Sequence, residues 1–266
     1  MTDRPQTWHY GLIARWWAEF NLAEPEELSY YRRSIERFGQ PALDLACGTG
    51  RLLVPLLEAG LDVDGADLSE DMLAVCAQRA AARRLQPHIM RQAMHELAAP
   101  RRYRLIYICD SFGIGGRRQD DRAALKRIRA HLEPGGALVF SHDLPHGDPL
   151  QWANWLPDRR HELPEPWPGN GTRRTAADGD EIELIGRLEN LDPVEQRLTM
   201  GMRPRLWRDG EIVAEEEHTI QISLYFQQEV LLLLEEAGFG QVDVEAAYTG
   251  LPATADDLTL VFVAHT

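Results

Sequence analysis

Five short apolar runs alternate with helical patterns in the first half of the chain, and this alternation limits the available folds. After each run, large apolar side chains recur at three- and four-residue spacing, or a turn leads directly to the next run. The five predicted strands cover residues 41–46, 61–67, 87–92, 103–110 and 137–143. Strand–helix units of this length predict a parallel sheet with helices on both faces.

The pattern changes after the fifth predicted strand. Residues 144–170 are rich in proline and tryptophan and predict an irregular segment with one helix at most, whereas residues 172–225 alternate with a period of two, as antiparallel strands do. A helix at 227–240 and two strands follow. We therefore predict an α/β fold with a doubly wound, mostly parallel seven-stranded sheet and an antiparallel β insertion after the fifth strand. The three predicted units are residues 1–143, 144–225 and 226–266.

Charge and composition exclude several classes of function. The formal net charge is -14, and the basic residues are scattered, so the surface would repel a nucleic acid. The longest apolar run near the end, residues 230–234, is too short to span a bilayer. The cysteines number three, and no CxxC pair occurs. We expect no metal site, no nucleic-acid or membrane partner, and a reducing cytoplasm.

The segment "ALDLACGTGR" (residues 42–51) carries the strongest signal for a ligand. Gly48 and Gly50 lie between a predicted strand and a predicted helix. Such a turn lets a ligand approach the backbone, and the helix N-terminus offers unpaired N–H groups. Asp67 ends the next strand, nineteen residues after Gly48, at the offset where an acid can accept both hydroxyls of an adenosine ribose. Together these features favour an adenosyl ligand over an ordinary tight turn.

The same segment lacks both signatures of pyrophosphate binding. A dinucleotide fingerprint would have a third glycine where Leu53 stands, and a phosphate-binding loop would have lysine and serine or threonine directly after Gly50. Asp44 would repel a pyrophosphate, but it suits a ligand that carries an ammonium group. S-adenosylmethionine has that ammonium, a ribose and no phosphate. An oxidoreductase with a degenerate fingerprint and a non-catalytic binding module remain as alternatives.

Three motifs make the chain similar to a known family. "ALDLACGTGRLL", "VDGADLSEDML" and "LEPGGALVF" resemble, in order and spacing, the first motifs of class I S-adenosylmethionine-dependent methyltransferases, and "AGF" at 237–239 resembles that family's ending. The resemblance covers about residues 40–143 and 227–266. It implies a Rossmann-like methyltransferase enzyme with S-adenosylmethionine as cofactor and S-adenosylhomocysteine as product. It also implies in-line methyl transfer to an N or O atom of a small-molecule acceptor.

The resemblance also implies which residues contact the cofactor. Asp44 would act on the amino end, Asp67 on the ribose, and Tyr10 would reach the methionine from an N-terminal lid helix. Ala93 stands where the family often has an acid, so Gln92 or the backbone would substitute at the adenine. The implied cofactor-binding residues are Tyr10, Asp44, Ala46, Cys47, Gly48, Gly50, Asp67, Leu68, Met72, Ala93, Met94, Cys109 and Asp110.

The acceptor side is less constrained by the sequence. His142 and Asp143 follow the fifth strand and are the candidate general bases, although His142 could instead be a structural histidine bonded to the backbone. We expect His218, in the insertion, to be solvated. The insertion would cover the acceptor, form its own core, or mediate a homodimer. The candidate acceptor-binding residues are Phe112, Trp152, Trp155, Tyr225 and Tyr248.

Overall fold

A seven-stranded sheet forms the centre of the molecule. The structure, a computed structural model, describes Thr7 and residues 9–266. The strand order is β11-β12-β5-β4-β1-β2-β3, and only β12 runs antiparallel to its neighbours. The predicted fold class is confirmed. The strands are β1 Ala42–Leu45, β2 Val63–Asp67, β3 Ile89–Arg91, β4 Tyr103–Ile108, β5 Leu132–Asp143, β11 Val242–Ala246 and β12 Thr259–His265.

Helices cover both faces of this sheet. One buried cluster joins Tyr31 and Leu53 to the sheet, and the other joins Leu125 and Leu234 to its opposite face. Two hydrophobic layers of this kind are what a doubly wound sheet requires, because its strands are buried on both sides. The helices are α1 Gly11–Phe20, α2 Pro25–Phe38, α3 Leu53–Glu58, α4 Glu70–Ala82, α5 Arg118–His131 and α8 Gln227–Glu236, with a 3₁₀ turn at Met94–Glu96.

A second, antiparallel sheet lies between β5 and α8. Its order is β10-β8-β7-β6, with β9 paired to β8. Two short helices precede it where the sequence predicted one at most, and each begins with a proline, whose fixed φ suits the first helical position. The predicted division into three units stays a prediction. The added elements are α6 Pro149–Ala153, α7 Pro157–Arg160, β6 Thr172–Thr175, β7 Glu181–Asp192, β8 Arg197–Arg208, β9 Glu211–Glu215 and β10 His218–Ser223.

One face of the second sheet is apolar, and we call it the inner face. Its members follow from the pairing register and the two-residue period of a strand. At one end it packs on Trp16 and Phe20 of α1, and at the other on Trp155 and Leu163. The inner face comprises Ile182, Leu184, Gly186 and Leu188 of β7, Leu198, Met200, Met202, Pro204 and Leu206 of β8, and His218, Ile220 and Ile222 of β10.

Two helix boundaries differ from the sequence prediction. The helix expected at 120–136 ends at His131, because Leu132 already pairs with Tyr103 in the sheet. The helix expected at 50–60 begins only at Leu53, so Pro55 falls in the first turn, where its missing N–H needs no partner. In the part of the chain that the structure describes, no helix is long and apolar enough to cross a membrane.

Candidate cofactor and acceptor site

The turn after β1 has a left-handed backbone at alternate positions. The φ angles are 69° at Ala46, 53° at Gly48 and 75° at Gly50. A Cβ atom at Gly50 would lie 2.7 Å from the Sγ atom of Cys76, so α4 packs against this turn only because a glycine stands there. The Gly50 N–H donates to the Cys47 carbonyl at 2.9 Å and closes the turn. The backbone of residues 46–50 is thereby held open toward the carboxyl edge of the sheet.

Asp67 links the ends of β1 and β2 through its carboxylate. One oxygen accepts the Gly48 N–H at 2.9 Å, and the other accepts the Ser69 N–H at 2.8 Å. Burial raises the pKa of Asp67, and these backbone donors oppose that shift. Met72 is buried beside the turn, and its Cε atom is 3.2 Å from where a Gly48 Cβ would be.

Asp44, in β1, is a second buried carboxyl group at this edge. It is 2% exposed and lies opposite Tyr107 of β4 in the sheet register. Burial raises the pKa of Asp44 to about 7, and the charges of Asp67 and Glu27 act in the same direction against Arg51. A cation bound beside Asp44 would reverse this shift. Among the described residues the buried Tyr107 hydroxyl has no partner with ordinary hydrogen-bond geometry, but it lies close enough to Asp44 to oppose the rise of that carboxyl group's pKa.

These residues fit S-adenosylmethionine. An opened glycine turn, two carboxyl groups and a buried hydroxyl meet at one edge of the sheet. Carboxyl groups at Asp44 and Asp67 suit an ammonium group and ribose hydroxyls, and they would repel a pyrophosphate.

A polar cluster follows β4 at the same edge. Arg51 donates to Glu27 Oε1 at 2.8 Å and to Cys109 Sγ at 3.0 Å, and lies 3.6 Å from Asp110. The Tyr248 hydroxyl donates to Asp110 Oδ1 at 3.1 Å. Asp110 and Tyr248 both have a left-handed backbone, with φ of 53° and 58°. Non-glycine residues in this region carry strain, which concentrates at functional sites.

Within the described residues, Glu27, Cys109 and Asp110 place potential metal-ligand atoms within 4.8 Å of one another. The Arg51 guanidinium already supplies the positive charge to this group. Burial raises the pKa of the Cys109 thiol, which disfavours the thiolate that a metal would need. The arrangement is therefore an ion-paired cluster.

His142 and Asp143, the predicted general bases, both have structural partners. The His142 Nε2 atom lies 2.9 Å from the Tyr225 carbonyl oxygen, and burial lowers the pKa of this histidine. The exposed Asp143 carboxylate accepts a hydrogen bond from the Thr259 hydroxyl. These contacts favour the structural alternative for His142.

The predicted acceptor residues form two aromatic pairs, and Tyr248 makes a separate contact. Phe112 and Tyr225 are buried in the α/β core, 5.6 Å apart between ring centroids. Trp152 and Trp155, in the insertion, pair with each other at 5.4 Å between ring centroids, and both contact Phe226, the residue after Tyr225. Tyr248 contacts the Asp110 cluster instead.

The region after β3 is arranged differently from the expectation for adenine binding. Ala93 is buried and Met94 is half-buried against the core. The Gln92 side chain accepts the Ala98 N–H at 2.7 Å, so its amide oxygen is already engaged. Leu68 lies half-buried between Asp67 and the start of α4.

Sequence reasoning missed His218. It was expected to be solvated, but it is 3% exposed, and its ring centroid lies 4.3 Å from that of Tyr10. Its Nε2 atom is 2.9 Å from Glu216 Oε2. The two-residue period of β10 could have revealed this burial, since His218 shares a face with Ile220 and Ile222.

Comparisons with known proteins agree with this geometry. The methyltransferase domain family matches residues 42–136. A putative methyltransferase of Geobacillus sp. (strain WCH70) is 30% identical over 138 residues, which cover 49% of this chain and 56% of that protein. A ubiquinone biosynthesis O-methyltransferase of Coxiella burnetii is 28% identical over 136 residues, covering 49% of this chain and 57% of the relative. The chain thus spans little more than half the length of these curated relatives.

These matches support the predicted class I S-adenosylmethionine-dependent methyltransferase family, with the domain match at residues 42–136. The predicted family and its cofactor, S-adenosylmethionine, are confirmed. A solved structure of a sugar N-methyltransferase from Streptoalloteichus sp ATCC 53650 shares the fold, with a TM-score of 0.64 at 18% identity, covering 90% of this chain and 87% of that one. The matched domain region contains the glycine turn and Asp67, so the methyltransferase motifs coincide with the polar edge of the sheet.

Proposed function

We propose that this methyltransferase moves a methyl group from S-adenosylmethionine to an N or O atom of a small-molecule acceptor by direct in-line displacement. The observation that carries the proposal is the polar edge where Asp44, Asp67 and the glycine turn meet. The apolar face of the second sheet packs on α1, the helix that directly follows Tyr10. The bound cofactor would supply an electrophilic methyl group on a sulfonium. The comparisons support nitrogen or oxygen as the methylated atom, since one relative is an O-methyltransferase and one similar structure is a sugar N-methyltransferase.

The chain's own residues would bind and orient the cofactor and the acceptor, and none would form a covalent bond to the methyl group. Asp67 accepts the ribose hydroxyls, and Asp44 faces the ammonium of the methionine moiety. Cys109 and Asp110, which directly follow β4, would face the methionine moiety, and Tyr10 would close the site from the N-terminal side. Positioning and exclusion of water can supply much of the rate of such a displacement. The inner face of the second sheet would exclude water above the acceptor.

A homodimer through this sheet stays a prediction.

The first test is calorimetric titration with S-adenosylhomocysteine, with NAD as the matched control. We expect micromolar binding of S-adenosylhomocysteine and no binding of NAD, because the turn suits a cationic amino end and repels pyrophosphate. Binding of NAD alone would contradict the proposal. A protein that binds S-adenosylhomocysteine but transfers no methyl group to any small phenol or amine would point to the non-catalytic binding module.

Cofactor affinity should increase with pH because of Asp44. The pKa of this buried carboxyl group is about 7 in the folded protein, against an ordinary value of 3.8, so the charged form that attracts the ligand's ammonium forms only above neutrality. We expect the Kd for S-adenosylhomocysteine to fall by about tenfold between pH 6 and pH 8. Asp44→Asn should flatten this dependence, measured by calorimetry in buffers of equal ionic strength.

The raised pKa of Asp44 also makes the ligand-free protein less stable as the pH rises. Between pH 4 and pH 7 the unfolded chain ionises Asp44 while the folded chain keeps it protonated, so unfolding becomes easier as the pH rises. Thermal unfolding of the ligand-free protein and of Asp44→Asn across this range would show the difference. An affinity that is independent of pH in the unaltered protein would contradict a titrating Asp44 at the cofactor's amino end.

A further inference from the structure

Strand β10 bridges the two loops that border the cofactor edge. At its far end, the Ser223 N–H donates to the Gly113 carbonyl, and the Gly115 N–H donates to the Gln221 carbonyl, both at 2.8 Å. Gly113 and Gly115 belong to the loop that begins with Asp110. At its near end, the His218 ring contacts the Tyr10 ring in a tilted arrangement, with 4.3 Å between the ring centroids. The strand therefore connects the loop that follows β4 with Tyr10 on the N-terminal side.

The near end of β10 is tied to the loop that carries Asp67. The Ser69 hydroxyl, directly beyond that loop, donates to the His9 carbonyl, and the Gly11 N–H donates to Asp71 Oδ2 at 2.7 Å. These contacts fix Tyr10 between the start of α4 and the inner face. The Tyr10 ring thus lies between His218 and the segment that would hold the ribose.

Glu216 orients the His218 imidazole. Its Oε2 atom lies 2.9 Å from His218 Nε2 and accepts the Leu12 N–H at 2.9 Å. Gly11 permits this approach, because its φ is +59° and a Cβ there would lie 2.4 Å from Glu216 Oε2. The carboxylate can accept only, so Nε2 carries a proton, and in the neutral ring Nδ1 keeps its lone pair. The His218 Nδ1 atom is buried and has no hydrogen-bond partner among the described residues.

We infer that His218, oriented by Glu216, is the general base that accepts the proton of the acceptor's nucleophile, and that the acceptor is a phenol or a primary ammonium with an apolar body. This inference rests on the proposed function. The O–H or N–H proton of the acceptor passes to His218 Nδ1. The lone pair of the acceptor's O or N atom then forms the bond to the methyl carbon. The C–S bond of the cofactor breaks, and its electrons stay on sulfur. Met200, Met202 and Ile220 of the inner face would contact the apolar body.

The charges around His218 are compatible with this role. Glu216 is the carboxylate in direct contact, and Tyr10 presents an aromatic ring on the lid side. Burial, together with the charge of His218, lowers the pKa of His9 to about 4, so His9 is neutral near pH 7. Across the sheet, Met202 lies opposite His218 and carries no charge. Glu216 would stabilise the imidazolium formed by proton transfer.

The experiment compares the full-length protein with His218→Gln, whose amide can still donate to Glu216 but cannot act as a base. The exposed His161→Gln is the matched control. Turnover is measured with tyramine, which carries a phenol and a primary amine on an apolar body, and with glucosamine, whose amine lacks such a body, while calorimetry gives the affinity for S-adenosylhomocysteine. We expect kcat to fall by about 100-fold or more in His218→Gln, with that affinity and the KM for S-adenosylmethionine changed by less than about twofold. His161→Gln should match the unaltered protein.

A second readout needs no turnover. In ¹⁵N-histidine spectra of the protein bound to S-adenosylhomocysteine, the signal lost in His218→Gln should show a neutral ring protonated at Nε2. A ring protonated at Nδ1, or an unchanged kcat in His218→Gln, would overturn the inference. So would a protein that binds S-adenosylhomocysteine yet methylates neither probe, and that result would leave the cofactor assignment intact. Failure to bind S-adenosylhomocysteine would instead overturn the proposed function itself.

Discussion

Asp67→Ala should weaken the binding of S-adenosylhomocysteine by about 1.5–3 kcal/mol, or roughly 10- to 150-fold. The physical reason is the loss of a buried carboxylate that can accept both ribose hydroxyls through charge-assisted hydrogen bonds. The carboxylate also accepts the Gly48 and Ser69 N–H groups, so its removal loosens the turn that receives the methionine moiety. Calorimetric titration at fixed pH and salt measures the change directly.

Two variants separate these contributions. Asp67→Asn keeps one acceptor oxygen for the backbone but loses the charge, so its loss of affinity should be intermediate. Asp256→Asn removes an exposed acid from the loop before β12 and should leave the affinity unchanged. An Asp67→Ala protein with unaltered affinity and an intact thermal transition would refute the assignment of Asp67 to the ribose.

The sequence predicts the cofactor half of the molecule well, because its signals are local. Strand, turn and helix follow one another within a few residues at Asp44, Gly48 and Gly50, and the distance to Asp67 is fixed by one β–α–β unit. The pKa of Asp44 could not be predicted in this way. It depends on burial and on charges contributed by residues as distant in the chain as Glu27.

The acceptor half depends on contacts between distant segments. His218 and Tyr10 are separated by more than 200 residues, and only the packing of the second sheet on α1 brings their rings together. His142 looked like a base because it ends a parallel strand, where ligands bind in open α/β sheets. The His142 ring instead contacts the Tyr225 carbonyl oxygen. Tyr225 lies at the end of the insertion, far along the chain, so this partner could not be predicted from the local sequence.

Glu27→Ala should destabilise the protein by about 3 kcal/mol and lower Tm by roughly 6 °C. Glu27 and Arg51 have side chains only 6% and 16% exposed, and removing the carboxylate leaves a buried guanidinium without its main partner. The thiol of Cys109 also loses the carboxylate oxygen 2.8 Å away, whereas Asp110, 3.6 Å from Arg51, compensates in part. Thermal unfolding followed by circular dichroism measures the change.

The matched control for Glu27→Ala is Glu36→Ala, which breaks an exposed ion pair with Arg32 on the same helix and should cost less than about 1 kcal/mol. A double variant, Glu27→Leu with Arg51→Leu, should recover much of the loss, because it removes the buried charge together with its partner. Equal destabilisation by the single and double variants would show that packing of α2, and not the ion pair, accounts for the effect. Since Arg51 also opposes the raised pKa of Asp44, the single variant should leave Asp44 charged at a lower pH than the double variant does.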